Sequence, residues 1–395
     1  MHQVPGCASA EGEFLCPPRL ASMLLLAHKA PLAASMVMLL LFVVRTCDIQ
    51  AQVQPTRPVP PYQVLPPSKV HQVHLTPLMI YRLPTDTVSP VRIVDALTWG
   101  SSLYVLDGEG RRLFRYSRNG TKLTFAVGKW GSTPGSFDVP RRMEVSGESL
   151  LVLDATHRQA FSSFDSVGRF LGRRLKGLSE VGGTAFVLVG KSVAIAVLTP
   201  RTLGSDTGTV VVANQQGQIT AVGCKEDPQY NASRARGGEL ATYAFRGIAL
   251  RRDQIFCSQP ISPVIEVFDT AGRSVGSIRV APPFYLAPHD TSYSGPSTRK
   301  DELKYESGWM AHSGVYVGPT TFISVYSHYD TLQGSTRFFL FKCHLTADLV
   351  VSNCQTGESP GRPIRFRPPD TLFVAMPPKP GRNTIPWIGV FGLSK

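Results

Sequence analysis

Four glycines, Gly120, Gly168, Gly217 and Gly272, recur at intervals of 48, 49 and 55 residues, each closing a short apolar strand and turn. Three of the units align closely. Leu103–Asp107 leads to Tyr116 and Gly120, Leu151–Asp154 to Phe164 and Gly168, and Ile255–Ser258 to Phe268 and Gly272. In each, an aromatic residue stands four places before the glycine. The glycine supplies the positive φ of a tight hairpin, and the ring can pack between sheets. Asn214–Gly217 marks the same turn in a fourth unit. A period of about 50 residues with several short strands per unit predicts a β-propeller.

Composition agrees. The chain of 395 residues holds 35 Gly and 32 Pro, which suit turns and oppose helix interiors. At 43% hydrophobic it can build a packed core. Two weaker units follow, Phe322–Tyr326 with Arg337–Cys343, and Leu372–Met376 with Pro386–Phe391. That makes six. The last unit lacks an outer strand, and Leu78–Leu83 precedes the first repeat unpaired. Pairing the two would close the ring and leave no open edge. The predicted fold is therefore all-β, a six-bladed propeller over 75–395.

The first 51 residues read as an address. Ala30–Val44 carries no charge and lies between Lys29 and Arg45. It is shorter than the roughly 20 apolar residues of a membrane-spanning helix, and fits the core of a secretory signal cleaved after Ala51. An uncleaved anchor, with membrane association through 30–44, and a lipid anchor at Cys47 are the other readings. Residues 52–74 form a proline-rich linker, read as a stiff tether. Export would permit disulfides among Cys224, Cys257, Cys343 and Cys354. Four cysteines allow three pairings. Cys343–Cys354, across an expected hairpin, is preferred.

At the junction of the first two units the chain resembles the NHL repeat. The matching positions are Gly128, Gly131, Pro134, Gly135, Phe137, Pro140, Asp154, Arg158 and Phe164. The resemblance implies a six-bladed propeller like those of exported bacterial proteins. It implies no single activity, because this fold hosts scaffolds, lyases, lactonases and hydrolases. Some peptide-amidating lyases of the fold use histidine-bound zinc. Here His289, His312, His328 and His344 show no metal-ligand spacing, so neither metal nor other cofactor is expected.

Asp107 with Arg111 and Asp154 with Arg158 repeat one spacing. A residue that recurs in successive repeats is more naturally scaffold than catalyst, so Asp107 and Asp154 are expected to accept turn amides. Gly120, Phe164, Gly168, Phe268 and Gly272 belong to the same structural set. His157, Arg111 and Arg158 are the candidate ligand-binding residues. No nucleophile elbow, Walker A loop or dinucleotide fingerprint is present. The net charge of +13 comes with arginine outnumbering lysine more than two to one, without long basic runs. It reads as a solvated face, not a specific nucleic-acid surface. The expected role is a monomeric, exported scaffold that binds a protein, peptide or glycan through its loop faces. An enzyme with a central-channel site, a metal-dependent lyase or a lactonase, is the alternative.

Overall fold

The structure is a computed structural model. It describes residues 62–84, 89–131, 133–155, 161–175, 178, 183–197, 209–225, 247–288, 308–377 and 387–394. The signal segment, His157, Arg158 and His289 lie outside these residues.

The described chain forms a six-bladed β-propeller. Blade one consists of Ile93–Trp99, Ser102–Asp107, Arg112–Ser117 and Leu123–Val127, each antiparallel to the next. Blade two (Pro140–Ser146 to Phe170–Arg174), blade three (Gly183–Val189 to Ile219–Gly223) and blade four (Ile248–Arg251 to Ser274–Ile278) repeat this order. Blade five runs from Ala311–Val317 to Val351–Ser359. Blade six takes Arg362–Arg367, Thr371–Met376 and Trp387–Ser394 from the end of the chain. Its fourth strand is His74–Tyr81, with Ile388 opposite Tyr81 and Val390 opposite Met79. The expected closure is therefore present, with the strand beginning four residues before Leu78. The first strand of each blade touches that of the next, and the sixth touches the first. These six strands line a central channel.

The hairpin glycines act as their spacing requires. Gly120, Gly168, Gly217 and Gly272 have φ of 74°, 84°, 81° and 80°, a region costly for any residue with a Cβ. Each donates its amide to the carbonyl three residues back, namely Ser117, Asp165, Asn214 and Asp269. The side chains of Asp165, Asn214 and Asp269 accept two further turn amides apiece. These residues encode the turn locally, which is why the period is visible in the sequence.

Six apolar clusters hold the ring, one at each seam between blades. Strand alternation builds them. In Ser102–Asp107, Leu103 and Val105 join Tyr81, Phe373 and Ile388 at the seam between blades six and one. Their neighbours Tyr104 and Leu106 join Phe137, Met143 and Phe164 at the next seam. Both faces of each middle strand are buried, so these strands read as continuous apolar runs. Cys224 is bonded to Cys257 across the seam between blades three and four, and Cys343 to Cys354 within blade five. The described part of 52–74 lies against the propeller. Gln63–Val64 pairs with Val280–Ala281, His71–Gln72 pairs with Gln355–Thr356, and Tyr62 meets Tyr285 edge-on at 5.7 Å.

Candidate functional site at the channel mouth

All six innermost strands start on one face. In five of them the ladder slips near the start, between Ile93 and Asp95, Pro140 and Arg142, Gly183 and Ala185, His312 and Gly314, and Pro363 and Arg365. A bulge leaves one residue unpaired and re-aims it. The residues passed over are Val94, Arg141, Thr184, Ser313 and Ile364, and all five line one cavity of about 460 Å³. Blade four contributes Gly247 and Ile248. A methyl on Gly247 would lie 2.7 Å from the Val315 amide nitrogen, so the backbones of blades four and five meet too closely there for a larger residue. The second and third strands of blade five are the longest, and their Ser327, Tyr329 and Thr336 form one wall.

Below the mouth lies a lattice of ion pairs. Asp95, wholly buried in blade one, receives Arg365 of blade six through Nε at 3.0 Å and Nη2 at 2.7 Å. It also accepts the amides of Met143 at 2.9 Å and Ala96 at 2.9 Å. Arg365 reaches Glu144 of blade two at 3.1 Å and donates to the Met143 carbonyl. Arg142 lies 3.7 Å from Asp95 and 3.4 Å from Glu144, and donates to Ile364 O at 3.1 Å. Burial opposes the charge on Arg365, but Asp95 and Glu144 more than offset it and hold the guanidinium firmly protonated. The lattice ties blades one, two and six together where the ring closes.

Around the mouth the charges are less balanced. Burial lowers the pKa of Arg141, and Arg92 and Arg362 lower it further by repulsion, with Asp154 acting in the opposite sense. Arg362 is lowered by burial and then by Arg92. It donates to the carbonyl of Ile93. Tyr316 is pushed up by burial among these groups.

His312, fully buried at the cavity edge, sets its Nδ1 3.1 Å from Ser262 O and stacks on Tyr326 at 4.9 Å. Burial pulls its pKa down from 6.5 to about 4, against the hydrogen bonds to Ser262 and Gly314 that favour the charged ring. A group that stays neutral in the folded state but charges when unfolded favours folding fully above 6.5. That contribution is lost as the pH falls from 6.5 to about 4. Stability is expected to drop by about 3 kcal/mol across this window, and His312→Gln should flatten the drop. Denaturant titrations at closely spaced pH values check it; equal slopes for the two proteins would contradict it.

Of the ligand-binding candidates singled out in the sequence, Arg111 falls elsewhere, and His157 and Arg158 lie outside the described residues. Arg111 has a φ of 55° and lies 5.6 Å from the ring centre of Trp130, outside the cavity lining. Asp107 accepts the amides of Val91, Arg92 and Glu109. Asp154 accepts those of Asp138 at 2.6 Å and Val139 at 2.8 Å. Each carboxylate fastens the segment leading into an inner strand, and Asp154 thereby fixes the approach to Arg141. Ser258 takes the corresponding place in blade four with one amide, from Gly247 at 3.1 Å. Asp154→Ala strands two donors and is expected to cost about 1–3 kcal/mol, lowering the melting temperature of a protein that still folds. An unchanged melt would remove this role. The channel arginines escaped sequence reading because the two strands that carry them lie far apart in the chain. The shared pattern of Pro140-Arg141-Arg142 and Arg362-Pro363-Ile364-Arg365, Pro and Arg in the opening residues of a strand, was the available signal.

The fold and its channel define a six-bladed β-propeller with a pocket at the mouth. Two solved structures share this architecture. One, a protein of Bacteroides fragilis NCTC 9343 named as a candidate exported protein, is 12% identical, with a TM-score of 0.55 over 82% of this chain and 95% of its own. The other, a member of the DUF4221 family from Bacteroides vulgatus ATCC 8482, is 9% identical, with a TM-score of 0.51 over 83% of this chain and 100% of its own. At these identities the likeness is one of fold. No family model matches the chain, so the NHL likeness stands as a resemblance of motif. No curated protein matches either.

Proposed function

We propose that this chain is an exported binding protein that takes its ligand at the mouth of the central channel. The observation that carries the reading is the recurrent bulge, which turns a residue from each of five inner strands into one cavity. A packed propeller has no need of the same irregularity in blade after blade, whereas a preformed pocket does. The cavity volume lies within the usual range of small-molecule sites. Export is supported by the uncharged Ala30–Val44 segment and by two disulfides, which persist in oxidising compartments. Asp95 and Glu144, which also lie within 4 Å of the cavity-lining Arg142, are engaged by Arg365, which favours binding over acid–base chemistry. Among the described residues, no group of three or more His, Cys, Asp or Glu is placed to hold a metal ion.

The test is a thermal-shift screen of the purified protein against sugars, sugar acids, short peptides and nucleotides. Ser313→Trp, at an exposed position on the rim, is the obstructing variant. Compounds that raise the melting temperature of the wild type should lose their effect in the variant. Shifts that survive the obstruction, or consumption of a compound on incubation, would overturn the reading.

A further inference from the structure

We infer that the mouth is built for a small hydroxylated oxyanion, of the size of a sugar acid or sugar phosphate, clasped between Arg141 and Arg362. The inference rests on the binding reading above and names the chemistry of the ligand. Arg141, Arg142 and Arg362 line the cavity, and no Asp or Glu does so among the described residues. Asp95 and Glu144 are committed to the ion-pair lattice, where Asp95 holds Arg365 with two bonds and Glu144 takes both Arg365 and Arg142. Asp154 partly compensates Arg141 and also accepts the amides of Asp138 and Val139.

The remaining positive charge is concentrated. Arg141 and Arg362, partly desolvated on blades two and six, are both repelled by the exposed Arg92 of the segment entering blade one, and Arg362 also repels Arg141. Crowding like charges in a partly buried site costs stability, and a bound anion relieves that cost. Guanidinium groups suit the task, since each presents a planar fork to carboxylate or phosphate oxygens. The opposite part of the lining supplies hydroxyl groups from Thr184, Ser313, Ser327 and Thr336. Such groups complement a polyol better than an aliphatic acid. A volume of about 460 Å³ accommodates one or two sugar rings and not a folded partner.

Calorimetric titration of the full protein with D-glucuronate, glucose 6-phosphate and D-glucose, at matched ionic strength, tests this. At least one of the two anions should bind, and D-glucose should bind at least tenfold more weakly. The better anion identifies the group as carboxylate or phosphate. Arg141→Gln and Arg362→Gln should each weaken it about ten- to a hundredfold, the range of one hydrogen bond to a charged group. Arg92→Gln supplies a readout that a structural role would not produce. It should raise the melting temperature of the ligand-free protein at low salt while weakening the anion. The inference is overturned if neither anion binds, if D-glucose binds as well as they do, or if Arg92→Gln lowers both stability and affinity together. Binding of D-glucose that Ser313→Trp abolishes would sink the oxyanion inference and leave the channel reading intact. Anion binding that survives Ser313→Trp would sink both.

Discussion

Asp95→Ala is expected to destabilise the protein by about 3–5 kcal/mol, the usual cost of removing one partner from a buried ion pair. The side chain has no exposure, and its loss leaves the Arg365 guanidinium with Glu144 as its one carboxylate partner among the described residues and the Met143 amide without its acceptor. Set against a total of about 5–15 kcal/mol for a typical fold, this is a large fraction. Because the lattice joins blades one, two and six, the damage falls on the seam that closes the ring. Arg365→Met removes the charge that Asp95 compensates. The double variant should therefore be more stable than the sum of the two single losses implies. Denaturant midpoints of the three variants measure this, and strict additivity would contradict the coupling.

Phe137→Ala is expected to cost about 3–5 kcal/mol through the cavity it leaves. The ring is fully buried at the seam of blades one and two, 5.6 Å from Phe164. It lies against Gly128, where an added methyl would sit 2.6 Å from the ring, and Gly128 has a φ of 96°. Phe137→Leu keeps most of the volume and should recover more than half of the loss. Measured unfolding free energies decide the matter, and a loss below about 1 kcal/mol for Phe137→Ala would show that the seam can collapse around the gap.

These two sites mark what was legible in the sequence and what was not. Phe137 and Gly128 belong to a local motif, with the turn, the glycine and the aromatic residue inside a dozen positions. The hairpin glycines were readable for the same reason, since the residues that set φ and accept the turn amides lie within four positions of each other. The closing strand was readable by subtraction, as the last unit came up one strand short. The inner strands were harder. Ala311–Val317 and Arg362–Arg367 went unassigned because each carries a bulge that breaks the period of two. Asp95 and Arg365 are separated by 270 positions, and no local pattern registers a partner at that distance. The candidate site is assembled from such residues, so its chemistry emerges only when the ring is closed.

Ring closure is thus the claim on which the seams, the lattice and the mouth all depend. Amide hydrogen exchange across His74–Tyr81 tests it most directly, because amides in a paired strand exchange only when it opens. Those facing Trp387–Ser394 should be protected to the same degree as the amides of Trp387–Ser394 that pair with Thr371–Met376. Exchange of His74–Tyr81 at the rate of an unpaired chain, with blades one to five still protected, would mean an open ring and would contradict the account.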